Sequence, residues 1–244
     1  MKELEAIYVM WWRVLVRLWR SKGRLAASMI QPVFFLIAFG LGLRGKGMLD
    51  FVLPGIVAMN VFMSSVMAGI SVVWDREFGF LKEVLVAPVR RLTIVIGRAS
   101  GAVTTALIQA LWLIFLGFLF GAKINFSNTP QILLFLVFFS TFSVGIGLIL
   151  STKVEDMESF QALLNILVFP LIFLSNAFVN LELAPNWLAF IVKLNPISYF
   201  VDAIRFYMTG KAFFNLQMDF FVSLIFAALS VTLSAAMFER IEDL

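Results

Sequence analysis

Three observations predict an all-α integral membrane protein of six transmembrane helices. Apolar residues make up 61% of the 244-residue chain and charged residues only 14%, with a mean hydropathy of +0.98, far from the composition of soluble domains. The apolar residues gather into six runs, 25–43, 51–74, 99–120, 132–150, 160–179 and 220–238, each long enough for a hydrocarbon core of about 30 Å. Of the 19 Lys and Arg, thirteen fall in the N-terminal segment and the segments on its side of the membrane, and six fall opposite. That asymmetry predicts that both termini are cytosolic.

The segment before the first run, 2–24, sets Arg13, Arg17, Arg20 and Arg24 on one narrow helical stripe, with Leu4, Tyr8, Trp11, Leu15, Leu18 and Trp19 opposite. Such a helix is expected in the cytosolic interface, tryptophans at the headgroups and arginines toward anionic lipid. Its arginines are interleaved with tryptophans over several turns rather than placed ahead of a short apolar core. It is therefore expected to be retained rather than cleaved as a signal peptide. The first span is interrupted by Gln31-Pro32 and is followed by a glycine-rich turn at 44–50. The second carries Gly55, Ala58, Ser65 and Gly69 at helical spacing, which allows close approach of another helix, from this chain or a second copy.

Segment 75–91 lies between the second and third spans. Wound as a helix over 78–87, it gathers Phe78, Phe80, Leu81, Val84 and Leu85 on one side and Gly79, Lys82 and Glu83 on the other, with Val86 the exception. Asp75 and Glu77 sit at its positive end and Arg90 and Arg91 past its negative end, as the helix dipole favours. Pro88 stops it, because proline disfavours the α conformation at the preceding residue. A capped amphipathic helix on the cytosolic side suits docking to a soluble partner, although a loop helix lying on the membrane surface has the same pattern.

The third and fourth spans are joined by a polar turn at 123–130, and the short loop 151–159 carries one base and three acids. Segment 181–210 follows the fifth span. Its apolar stretch is too short to cross, and Lys193, Asp202 and Arg205 would be costly in lipid. Asn195 before Pro196 reads as an N-cap with proline at the first helical position, and Gly210 as a stop. Two short helices folded back at Asn195-Pro196 are expected, with Asp202 and Arg205 at i and i+3 able to pair.

The chemistry missing from the chain is equally informative. It has no cysteine and no histidine, hence no disulfide and no imidazole metal ligand. The net charge of +4 does not point to nucleic acid, because the basic residues cluster at membrane borders. The fragments GLRGKG and GRASG lack the GxxxxGK[ST] spacing that cradles phosphates. The span centres hold no Asp or Glu to relay protons, and their polar groups are neutral: Gln31, Asn60, Ser64, Thr104, Thr105, Gln109, Ser140, Thr141, Asn165 and Asn176. Such groups mostly join helices, yet a pathway lined by them suits an amphipathic cargo better than a small ion.

Trp74-Asp75-Arg76-Glu77-Phe78-Gly79, Leu81-Lys82-Glu83 and Ala87-Pro88-Val89-Arg90-Arg91 resemble the cytosolic loop of the membrane (permease) subunit of type-2 ATP-binding-cassette exporters. Gln31-Pro32, Asn195-Pro196-Ile197-Ser198-Tyr199 and Val201-Asp202-Ala203-Ile204-Arg205 are also similar to that family. Within it, the loop is most similar to the branch of drug-resistance permeases and nodulation lipo-oligosaccharide exporters. The resemblance implies that 75–91 is a coupling helix. Glu77, Phe78, Leu81, Lys82, Leu85, Pro88 and Arg91 would then contact a separate ATPase subunit, with ATP and Mg held there and no cofactor on this chain. It implies that 181–210, with Asn195, Pro196, Asp202 and Arg205, is an external re-entrant hairpin, and that the permease pairs with a second copy or a homologue in the cell membrane. The expected function is ATP-driven export of a hydrophobic drug-like or lipid-linked compound, with polysaccharide or lipo-oligosaccharide export as the alternative within the family. A membrane scaffold without transport, or a membrane-embedded enzyme, are the alternatives outside it.

The absence of native cysteine allows the orientation to be tested directly. Single cysteines at Lys46, Lys123 and Lys211 are expected to react with an impermeant thiol reagent on intact cells, and one at Glu155 is not. Labelling of the Glu155 variant from outside would overturn the topology.

Overall fold

The computed structural model describes residues 2–20, 22–41, 47–77, 91–154 and 156–239, and among them there is helix and no strand. Helix α1 (Lys2–Arg20) is followed by α2 (Lys22–Phe35), which contains Pro32 and continues as a π-helical stretch, Leu36–Leu41. Helix α3 (Met48–Val66) tightens into a 3₁₀ turn at Met67–Gly69 and resumes as α4 (Ile70–Glu77). Helices α5 (Arg91–Leu119) and α6 (Thr129–Ser151) are long. Helix α7 (Met157–Leu163) passes through a π-helical stretch, Leu164–Val168, into α8 (Phe169–Phe173). Helices α9 (Asn186–Leu194) and α10 (Pro196–Thr209) form a bent pair, and α11 (Leu216–Glu239) completes the described chain.

Among the described residues, four helices are long and apolar enough to cross a membrane: Met48–Trp74, Ile96–Leu119, Phe126–Ser151 and Leu216–Met237. The expected first and fifth spans take a shorter form, as apolar helices Ala27–Ala38 and Met157–Phe173. Proline and a π-helical stretch disturb the hydrogen-bond ladder in both. The second of them ends where Leu174 leaves helical geometry and Ser175–Asn176 turn. Asp156 caps that helix by accepting from the backbone N–H and hydroxyl of Ser159, which hold its carboxyl below the usual carboxylate range.

Helix α3 is the axis of the bundle, packed against α5, α6 and α10 and buried at every position from Val52 to Phe62. Phe62 stacks on Phe139 of α6 at 5.6 Å, and Phe139 and Phe142 face Phe200 of α10 at 5.0 and 5.2 Å. These ring contacts join three helices through large apolar areas. The outer faces are apolar too: Trp112, Phe115, Phe221, Ile225 and Leu229 are exposed, as befits helices solvated by lipid.

Helix crossings depend on glycine. A Cβ on Gly69 would lie 2.1 Å from the carbonyl oxygen of Gly147, and one on Gly147 would lie 2.1 Å from that of Val66. The two backbones are in direct contact, at the point where the chain tightens into its 3₁₀ turn. Gly55 likewise faces the Ala177 carbonyl oxygen at 2.2 Å from its ideal Cβ position, and Ser65 is fully buried. The small residues of the second predicted span are thus engaged inside the subunit.

Helix α1 lies along α5. Met10 and Val14 fill the space over Gly97 and Gly101, Trp11 Nε1 donates to Thr104 Oγ1 at 3.0 Å, and Thr93 donates to the Glu3 carboxylate. Leu4, Tyr8, Trp12 and Trp19 remain exposed on the other side.

Replacement of either Gly69 or Gly147 by alanine is expected to cost about 1–3 kcal/mol through overpacking against backbone. Gly23→Ala, with nothing within 4 Å of the new Cβ, serves as the tolerated control. Thermal unfolding of the purified protein followed by size-exclusion chromatography reads the difference, and equal melting of all three variants would refute the tight crossing.

Candidate functional site

The expected ATPase contact falls where α4 ends and α5 begins. Glu77 closes α4 and Arg91 opens α5, while Phe78, Leu81, Lys82, Leu85 and Pro88 lie outside the described residues. The flanks are tied together: Arg98 Nη1 on α5 donates to Ser71 Oγ on α4 at 3.2 Å. Through Thr93 and Glu3, the start of α5 is also joined to the start of α1.

At the opposite end of the bundle, the bent pair α9–α10 is built as its sequence requires. The two helices meet at 89°. Asn195 stands in extended backbone and its Oδ1 accepts from the Ile197 N–H at 3.0 Å, Pro196 occupies the first helical position, and Gly210 ends α10 in the left-handed region at φ 79°. The Asn195 amide also works in the other direction. Its Nδ2 donates to the carbonyls of Leu171 and Leu174, at 2.6 and 3.1 Å, and so caps the C-terminal end of α8. One side chain therefore terminates one helix and starts another. Tyr199 OH, donating to the Lys193 carbonyl at 2.7 Å, closes the bend.

Helix α10 carries a buried charge cluster. Asp202 and Arg205 are paired at 3.6 Å and are 0% and 1% exposed. Asp202 accepts from Asn176 Nδ2 at 3.0 Å, from the Phe213 N–H at 2.9 Å and from the Phe214 N–H at 2.9 Å. Arg205 Nη2 donates to the Asn176 carbonyl at 2.5 Å, and its guanidinium lies over the rings of Phe51 and Phe213, at 4.7 and 5.4 Å. The structure thus places Asn195 and Pro196 at the start of α10 and the paired Asp202 and Arg205 about two to three turns further along it. It adds Asn176, which the sequence pattern assigned to a span, and Asp219, which the pattern left just outside the last one. Asp219 is fully buried in the first turn of α11, and neither carboxylate oxygen has a hydrogen-bond partner among the described residues. A lone acid at the edge of an apolar run was the available signal.

The remaining neutral polar groups sort into glue and lining. Thr104 and Thr105 donate to carbonyls one turn back in α5, at 2.8 and 3.0 Å, and Ser140 is buried in α6. Asn165 is exposed on its π-helical stretch and Thr141 is half-buried. Gln31, Asn60, Ser64 and Gln109 line one cavity of about 190 Å³ between α2, α3 and α5. Asn60 Nδ2 donates to Gln109 Oε1 at 3.4 Å, and Gln109 Nε2 donates to Ser28 Oγ at 3.1 Å. Among the described residues, no group of three or more acids could hold a metal ion.

Removing one partner of the buried pair is expected to strand the other. Asp202→Ala should lower the melting temperature sharply, at a cost of about 3–5 kcal/mol, whereas Asp202→Ala combined with Arg205→Met should recover much of the loss. A double variant as unstable as the single one would show that the carboxylate acts only through its backbone hydrogen bonds.

The sequence model of the ABC-2 type transporter family matches residues 5–209, from α1 to the end of α10. The chain is 30% identical over 217 residues to the putative transport permease ycf38 of Porphyra purpurea, covering 84% of this chain and 73% of that protein. It is 29% identical over 212 residues to the daunorubicin resistance ABC transporter permease protein DrrB1 of Streptomyces coeruleorubidus, covering 83% and 75%. It is 29% identical over 195 residues to the probable multidrug ABC transporter permease YbhR of Escherichia coli, covering 78% of this chain and 52% of that protein. A match that takes in the joined α1 and α5, the glycine crossing and the capped bend leaves one conclusion: the chain belongs to the ABC-2 type transporter family, as a membrane permease.

Proposed function

We propose that this chain is the permease subunit of an ATP-binding-cassette exporter that moves a hydrophobic drug-like or lipid-linked compound out of the cytosol, using ATP hydrolysed on a separate subunit. The family match over residues 5–209 carries the reading, and the names of the relatives from Streptomyces coeruleorubidus and Escherichia coli, concerned with daunorubicin resistance and multidrug transport, favour a drug-like cargo. In this reading the shorter helices Ala27–Ala38 and Met157–Phe173 join the four long ones to make six spans in the cell membrane, with both termini cytosolic. The bent pair α9–α10 is then an external re-entrant hairpin, and α1 lies among cytosolic headgroups.

ATP and its magnesium belong to the partner. The amphipathic loop between α4 and α5 is the coupling helix, its apolar face of Phe78, Leu81 and Leu85 seated in a groove of the ATPase, with Glu77, Lys82 and Arg91 around it. Motion delivered there passes directly into α4, α5 and α1, which are hydrogen-bonded to one another. The permease works as a pair. Because Gly55 and Gly69 are filled by Ala177 and Gly147 of the same subunit, the second copy docks on other faces.

The coupling helix provides the test. Leu81 and Leu85 lie four apart on one face, so charging both buries unpaired charge in the groove, at a cost of several kcal/mol. Leu81→Asp with Leu85→Asp is expected to leave the permease in the membrane at normal abundance while abolishing co-purification of the ATPase and export. A double variant that binds the ATPase and transports as before would show the loop to be an ordinary surface helix.

A further inference from the structure

We propose that the cavity between α2, α3 and α5 is a binding site for the polar end of a neutral amphiphile, a molecule offering an amide, carbonyl or hydroxyl group from an apolar body. Its assignment as the site for cargo rests on the exporter reading above; the binding chemistry rests on the cavity itself.

The position is telling. Asn60 lies about 18 Å along the helix axis from Met48 and about 21 Å from Trp74 at the helical rise per residue, close to the middle of the longest apolar helix path among the described residues. Polar side chains at that depth are expected to consume one another's hydrogen bonds. These do so only in part. Gln109 bridges Asn60 and Ser28, but its contact with Asn60 is long, at 3.4 Å. Asn60 Oδ1 and the whole amide of Gln31 have no hydrogen-bond partner among the described residues, and Gln31 is exposed on the open side of the cavity. Unused amide donors and acceptors therefore converge on a space whose other walls are apolar, among them Phe35, Met59 and Met63.

Three features set the ligand class. Among the described residues, none of the lining side chains is charged, so a cation or carboxylate entering here would lose its hydration without a counter-charge from them. The unbranched methionines adapt to varied shapes, which suits a range of apolar bodies. The volume of about 190 Å³ is comparable to cavities that hold a single aromatic ring. It accepts a head fragment, and the rest of the molecule extends past Gln31.

The test uses the permease–ATPase complex in nanodiscs and two photoactivatable probes, a diazirine-bearing N-decylacetamide and its decyltrimethylammonium analogue. The amide probe is expected to label the segment containing Met59 and Met63, with competition by unlabelled N-decylacetamide, and the ammonium probe is not. Gln31→Leu and Asn60→Leu should each cut amide labelling by about 2- to 10-fold, the worth of one hydrogen bond. Phe221→Leu, on the outer face of α11, should leave it unchanged. Gln31 is exposed, so Gln31→Leu decides the matter even if Asn60→Leu fails to fold. Equal labelling by both probes, or undiminished labelling of Gln31→Leu, overturns the proposal. So does labelling seen in detergent but lost in nanodiscs, which would assign the cavity to bilayer lipid. Labelling as expected in a complex that does not export would keep the site and remove the exporter reading alone.

Discussion

The carboxylate of Asp202 is the interaction on which one end of the bundle depends. It collects an amide of Asn176, two backbone N–H groups at Phe213 and Phe214, and the guanidinium of Arg205. Those partners come from the turn after α8, from the connection into α11 and from α10 itself. The backbone N–H groups of Phe213 and Phe214 and, through Arg205, the carbonyl of Asn176 are satisfied at one buried point, as a medium poor in water requires. Arg205 extends the lock to α3 through the ring of Phe51. Asn195, which caps α8 and starts α10, ties the same segments about two turns away. Helix α10 is consequently part of the core, with Phe200 against Phe139 and Phe142 of α6.

The other end is organised by contact between backbones. Without a hydrophobic drive between lipid-solvated helices, close packing and hydrogen bonds hold a bundle together. Gly69 and Gly147 bring α6 against the tightened turn below α3, while Gly97 and Gly101 seat α1 on α5. The helices that flank the proposed coupling loop are thereby fixed to the centre of the bundle and to the N-terminal helix. In the proposed coupling, a push on the loop is transmitted by these packed helices.

Between these two ends, α2 is held loosely enough to leave space. Pro32 and the π-helical stretch after Phe35 break its regular ladder, and the cavity at Asn60 lies against that disturbed segment. Irregular helix at mid-depth is tolerated where it lines a cavity or packs on protein.

Much of this protein was legible in its sequence wherever a property is local. Hydropathy over about twenty residues marks a membrane helix whatever its neighbours, and it located the four long ones. Asparagine before proline, and a glycine fourteen residues after that proline, define α10 because a cap and a left-handed stop act on adjacent backbone. The reading of 75–91 as a coupling helix rests on a local amphipathic pattern and on a family resemblance, and its residues 78–90 lie outside the described ones. Only tertiary structure decided what distance in the chain conceals. Ser28, Asn60 and Gln109 share a cavity although up to 81 residues separate them, and no periodicity marks partners on different helices. Asp219 became a buried carboxylate because α11 turns it against the rest of the fold, and Gly69 became a crossing point because Gly147 lies opposite. Composition determines that such residues are costly in lipid; the packing of helices determines which of them are satisfied.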